Sequence, residues 1–508
     1  MTVLLEGPGV TVPDVVGVAR RGQGVRLTEG ALERMRAARS IVEQLAEGDP
    51  VYGITTGFGA LATTTIPAER RADLQRSLIR SHAAGMGLAV EAEVVRAMMF
   101  LRARTLALGY SGVRPLVAEG LLSLLNAGIV PRVPEHGSLG ASGDLAPLAH
   151  VGLVLIGEGE VMVGGEVQES AAVLARNGIA PVVLTEKEGL ALTNGTDGML
   201  GMLCLAVHDA AHLLTVADIV AGLSVEGLLA TDRAYAADLQ ALRPHPGQAA
   251  SAANLRAVLA ASPIVASHRT GCLRVQDAYS IRCTPQVHGA ARDTLAFAKE
   301  VTGRELASAI DNPMVLPDGR VESCGNFHGA PIGLVADYLA IALAEVGAIA
   351  ERRIDRLLDH NRSQGLPPFL ADDPGVDSGL MIGQYTAAAM CAENRRLAAP
   401  ASVDSYPTSA MQEDHVSMGW SGARKLRLVI ANLRRILAIE WVAAARAVEL
   451  REPLRPADGT GAAVRLLRGS VPGPGPDRAL SPELLAAEDL LADEALVEAV
   501  EAATGRLA

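Results

Sequence analysis

The sequence has 508 residues, 49% hydrophobic but only 3% aromatic, and 45 Lys and Arg against 57 Asp and Glu leave a formal net charge of −12. That balance excludes the basic footprint of a nucleic-acid-binding surface, and the Ala, Leu and Val that make up most of the apolar fraction suit close-packed helices better than sheets. The five cysteines (Cys204, Cys272, Cys283, Cys324 and Cys391) are odd in number and form no C-x-x-C pair, which disfavours a disulfide framework or a zinc knuckle.

Taken in chain order, the opening MTVLLEGPGVTVPD has no basic segment followed by an apolar one, so no secretory signal is expected and the expected compartment is the cytoplasm. Val51 to Gly59 is a glycine-rich loop bearing Tyr52, and Ser81-His82-Ala83-Ala84-Gly85 follows. Val90 to Leu108 repeats apolar residues on one helical stripe and ends at Gly109, a natural left-handed cap. Next comes Gly137-Ser138-Leu139-Gly140-Ala141-Ser142-Gly143-Asp144-Leu145-Ala146-Pro147-Leu148. In this stretch the Gly143 nitrogen can attack the Ala141 carbonyl, because neither neighbour carries more than a methyl group. Loss of two waters, one of them the Ser142 hydroxyl, then leaves a methylidene-imidazolone, an electrophile that no ordinary side chain supplies. A serine elbow of the G-x-S-x-G type is disfavoured because Asp144 stands two after Ser142. A phosphate cradle is disfavoured by the spacing of Gly137, Gly140 and Gly143.

Glu160 to Val167 alternates around Gly164-Gly165 and predicts a short hairpin. Leu190 to Asp197 precedes a long apolar periodicity over Thr196 to Leu229; its N–H groups and the Asn194 amide can polarise an oxyanion, and Thr196 reads as the N-cap. His208 and His212 are four apart on that helix but lack the glutamate of H-E-x-x-H, so no metal site is expected. Gln276, Tyr279 and Arg282 are three apart and predict one helical face able to grip a carboxylate. Ile332 to Leu358 and Ala423 to Leu450 are further long helices. Asp337 and Glu345 interrupt the apolar run 332–350, which therefore reads as buried rather than membrane-spanning. From about Pro453 onward, short helices are expected.

The 137–148 stretch, with Tyr52-Gly53-Ile54-Thr55-Thr56-Gly57, Leu192-Thr193-Asn194-Gly195, Arg274-Val275-Gln276-Asp277-Ala278-Tyr279-Ser280-Ile281-Arg282, Asn326-Phe327-His328-Gly329 and Met411-Gln412-Glu413-Asp414-His415, resembles the aromatic amino acid ammonia-lyase and aminomutase family, in family order along nearly the whole chain. The resemblance implies a mainly α, fumarase/aspartase-like long-helix superbundle with a small mixed N-terminal region, here 1–195, bearing the reactive loop. Residues 196–508 would form the central bundle and helical tail. It implies a 4-methylidene-imidazole-5-one group made from Ala141-Ser142-Gly143, with no external cofactor, and a homotetramer whose active sites are shared between subunits. Tyr52 would be the base, Asn194 would sit beside the ring carbonyl, Tyr279 would assist proton transfer, Gln276 and Arg282 would hold the substrate carboxylate, and Phe327 would pack near the ring.

His82 and the acid at Glu413, where tyrosine and phenylalanine enzymes typically carry an amide, point to an imidazole. The expected reaction is conversion of L-histidine to trans-urocanate and ammonia. Migration of the amine to the β-carbon, tyrosine as a lesser substrate, and a scaffold whose loop never cyclises remain as alternatives.

Overall fold

The computed structural model describes residues 2–47, 51–57, 59, 63–272 and 274–508, and the chain is mostly helical, 59% helix against 7% strand. Each long periodicity becomes a helix: Ala92–Ala107, Asp197–Gly227, Ala330–Leu358 and Gly419–Glu449. Gly109 closes the first at φ +81°, where a side chain would meet the Arg34 backbone. The 160–167 hairpin forms as Glu160–Val163 against Glu166–Glu169, and Val130–Pro131 extends it to three strands. The other sheets among the described residues are two-stranded. The tail carries the helices Asp458–Arg468, Leu480–Leu490 and Ala495–Thr504. The helices spanning residues 188–227 and 330–358 are long and apolar enough to cross a membrane, yet most of each apolar stretch is buried within the protein.

The chain gathers into two compact units that follow contacts rather than chain order: residues 1–208, 299–337 and 400–424 in the first, and 209–298, 338–399 and 425–508 in the second. In the first unit, the Ala92–Ala107 helix packs on Val12–Arg21 and Pro115–Asn126, while Arg71–His82 packs on Leu145–Leu155 and Glu188–Thr193. Three separated segments carrying His82, the 137–148 loop and Asn194 are thereby drawn together. This core contains charge. Lys187 Nζ meets Asp311 Oδ2 at 2.9 Å with both side chains buried, and Arg102 lies 3.2 Å from Asp197.

The second unit is organised around Arg353 and Glu440, fully buried and joined through two hydrogen bonds, Nε to Oε1 at 2.5 Å and NH2 to Oε2 at 2.9 Å. Ser224 adds a third donor to Glu440 at 2.7 Å. Removing one partner of such a pair strands a charge without water, which costs about 3–5 kcal/mol, whereas an apolar pair of similar volume is close to neutral. Glu440→Gln should therefore lower thermal stability strongly, and Arg353→Met/Glu440→Leu should recover most of the loss. Calorimetry or circular-dichroism melting of the three proteins checks this.

Candidate active site

The 137–148 loop is shaped by backbone that only glycine tolerates at its tightest points. Gly140 and Gly143 have φ +66° and +80°. A Cβ on Gly143 would lie 2.2 Å from the Gly195 oxygen, and one on Gly140 2.1 Å from Ser417 Oγ. Both are closer than atoms approach, so these positions need glycine for space as well as for φ. Ala141 is buried. Asp144 anchors the loop: its amide donates to the Gly195 carbonyl at 2.6 Å, and its carboxylate accepts from Ser138 Oγ, Gly198 N and Met199 N, each at 2.9 Å. Burial pushes the Asp144 carboxyl up to about 7, against those hydrogen bonds and with the nearby Asp197 charge adding to the rise. The expected N-cap hydroxyl is corrected here. Thr196 Oγ1 is buried without a partner, because the Asp144 carboxylate has taken the first amides of the Asp197–Gly227 helix.

A cavity of about 570 Å3 opens over the loop, lined by Tyr52, His82, Ser142, Asn194 and Glu413 together with Asn312, Ser409, Leu74, Leu78 and Leu190 among others. Ser142 Oγ donates to Glu413 Oε1 at 3.4 Å. Tyr52 Oη accepts the Gly59 amide at 3.2 Å. His82 ends the Arg71–His82 helix, with Nδ1 3.1 Å from Ser81 Oγ. Burial holds its imidazole below the ordinary value, opposed by the Leu78 carbonyl and the Glu413 charge. The turn after it is pinned by His150, whose Nε2 accepts the Gly85 amide at 3.1 Å. Asn194 donates one N–H to the Asn312 carbonyl at 2.8 Å, while its Oδ1 is buried and unpartnered. Thr193 is fully buried and turns its hydroxyl back to the Gly189 and Leu190 carbonyls.

Sequence reading missed Arg102, which donates to the Asn194 carbonyl at 3.1 Å and the Ile310 carbonyl at 2.9 Å. The available signal was a pair of arginines, 102 and 104, inside an otherwise apolar stretch; a charge at such a position needs fixed partners.

Four candidates lie elsewhere. Phe327 is half-buried and outside the cavity lining. Gln276, Tyr279 and Arg282 belong to the second unit. The expected common helical face is also corrected: the helix covers only Tyr279–Arg282, with Ala278 extended at ψ 157°. Gln276 falls in the preceding bend because Asp277 is drawn to Thr231 N at 2.8 Å and Arg274 at 2.9 Å. Tyr279 is 71% exposed, and the guanidinium of the half-buried Arg282 sits over its ring, 4.6 Å from the centroid, a cation–π contact.

Residues 10–469 match the model of a family described as aromatic amino acid lyase. A histidine ammonia-lyase of Streptomyces avermitilis is 61% identical over the full length of both chains, and one of Gloeobacter violaceus is 50% identical over 99% of this chain and 98% of its own. Among solved structures, tyrosine aminomutase from Streptomyces globisporus superposes with a TM-score of 0.94 at 38% identity, covering 99% of both chains. Histidine ammonia-lyase from Trypanosoma cruzi gives 0.92 at 38% identity, covering 99% of this chain and 96% of its own. This chain belongs to the aromatic amino acid lyase family.

The loop geometry yields a direct expectation. Gly143→Ala places a methyl group against the Gly195 carbonyl at a left-handed φ, so the turn must shift and ring closure should fail. If the parent loop cyclises, peptide mass spectrometry of residues 137–148 should then find the variant loop two waters heavier than the parent's, with activity falling at least about a thousandfold, the scale of losing a catalytic electrophile.

Proposed function

We propose that this chain eliminates ammonia from L-histidine to give trans-urocanate. The observation that carries the reading is the convergence of Ser142, Tyr52, Asn194, His82 and the Glu413 carboxylate on one cavity, in a chain 61% identical along its whole length to a histidine ammonia-lyase. The fold alone does not choose the substrate, because a tyrosine aminomutase superposes as closely as a histidine ammonia-lyase. The choice rests on side chains. A carboxylate at 413 accepts a hydrogen bond from an imidazole N–H, and a charge-assisted bond of that kind contributes about 1.5–3 kcal/mol. His82 offers a second polar contact at the same wall.

Ala141, Ser142 and Gly143 fit a 4-methylidene-imidazole-5-one: both flanking groups are small and Gly143 has no room for a side chain. Once formed, that group supplies the electrophile that activates the amine for departure. The chain's own residues do the rest. Tyr52, held on the cavity wall by the Gly59 amide, takes the β-proton as general base, a role contributing about 10²–10⁴-fold. Asn194, its carbonyl gripped by Arg102, presents its second amide N–H to developing negative charge. Glu413 and His82 orient the ring of the substrate.

Gln276, Tyr279 and Arg282 complete the reading as the carboxylate-binding and proton-transfer edge contributed by a neighbouring copy in a homotetramer. The exposure of Gln276 and Tyr279 on the second unit supports this. Mixed assemblies of Ser142→Ala and Arg282→Ala chains, each inactive alone, should then regain part of the parent activity because some sites draw one intact residue from each variant.

The direct test incubates purified protein with L-histidine, without added metal or cofactor, and identifies products by mass spectrometry. Urocanate and ammonia are expected, and none from Ser142→Ala. Glu413→Gln should lower kcat/KM for L-histidine about 10–100-fold with an unchanged melting temperature. β-Histidine as the main product would instead make the protein an aminomutase.

A further inference from the structure

Glu413 enters the cavity from an unusual piece of backbone. Thr408 and Glu413 face each other as an antiparallel bridge, Thr408 N donating to Glu413 O at 2.8 Å and Glu413 N to Thr408 O at 3.2 Å. Between them Ser409, Ala410 and Met411 all lie in the left-handed region, at φ +52°, +52° and +71°. Three successive non-glycine residues in that region are strained, and such strain persists only where surrounding contacts over-determine it. The contacts are present. Gln412 N donates to Ser409 O at 3.1 Å, and beyond the turn Val416 N donates to Ser405 Oγ at 2.9 Å.

The turn also sorts the two oxygens of the carboxylate. Thr408 Oγ1 donates to Glu413 Oε2 at 2.8 Å, while Oε1 accepts the longer bond from Ser142 Oγ at 3.4 Å. One oxygen is tied back to the turn and the other faces the reactive loop. Without the hydroxyl, the glutamate's terminal torsions are free to rotate and either oxygen can swing from the cavity, with a loss of side-chain entropy on every binding event.

We propose that Thr408 is a positioning residue for substrate recognition, holding Glu413 with Oε1 toward the imidazole. The inference rests on the reading of Glu413 as the imidazole-binding group. Thr408 touches neither substrate nor the reacting atoms; it acts through Glu413.

Thr408→Val keeps the β-branched shape and both backbone bonds while deleting the hydroxyl, and Thr408→Ser keeps the hydroxyl. The experiment measures kcat and KM for L-histidine, the inhibition constant of urocanate, and the melting temperature for parent, Val and Ser proteins. Expected for the Val protein is a rise of about tenfold in KM and in the urocanate constant together, with kcat within about threefold of the parent and the Ser protein close to the parent. KM within twofold of the parent in the Val protein, a loss confined to kcat, or a Ser protein as impaired as the Val protein would overturn the inference while leaving the histidine reading intact. A parent protein that makes no urocanate would overturn the reading itself, and the role of Thr408 with it.

Discussion

The first unit depends on the buried carboxylate of Asp144. It lies one residue beyond the Ala141-Ser142-Gly143 stretch and accepts the amides of Gly198 and Met199, the first free donors of the 31-residue Asp197–Gly227 helix. A helix N-terminus presents unpaired N–H groups and partial positive charge, and a carboxylate satisfies both. The Asp144 amide closes the arrangement by donating to Gly195. The reactive loop and the Asn194 turn are thus latched to one another through a single residue. The close approach of Gly143 to the Gly195 carbonyl follows from that latch, and so does the intolerance of a side chain at 143.

Around the latch, polar groups are buried in proportion to the positioning they supply. Arg102 spends its guanidinium on the carbonyls of Asn194 and Ile310 and on Asp197, and the Lys187–Asp311 pair is equally dry. Buried charges of this kind are poor sources of net stability. They do fix backbone positions that apolar packing leaves free to slide, and a site that must hold an amide and a hydroxyl in register has use for that rigidity. The second unit repeats the device with Arg353 and Glu440, which also steady the turn before its long helix: Arg353 reaches the Ser280 carbonyl at 3.4 Å, in the segment bearing Tyr279 and Arg282.

The relatives place this architecture in a family whose lyases and mutases share nearly superposable chains. Two of the side chains lining the cavity, Glu413 and His82, are delivered by a turn with three successive positive-φ residues and by a helix end. A fold shared by a tyrosine aminomutase and a histidine ammonia-lyase does not itself fix the substrate.

Much of this was legible in the sequence because it is local. Apolar periodicity located the four long helices, Gly164-Gly165 located the hairpin, and the glycines at 140 and 143 marked the tight turns of the loop, since each depends on residues adjacent in the chain. What the sequence left undecided depends on partners far apart along it. Thr196 has the residue type and position of an N-cap, yet tertiary packing brought the Asp144 carboxyl group to the amides of Gly198 and Met199. Regular spacing placed Gln276 on a helix with Tyr279 and Arg282, but Asp277 found partners at 231 and 274 and the helix began later. Arg102 acquired meaning only when folding set it against Asn194. The sequence by itself determined the elements and the small-residue loop at 137–148, which follow from local stereochemistry and burial; only the tertiary structure decided which polar groups meet, because a buried hydrogen-bonding atom depends on whatever partner the packing brings within reach.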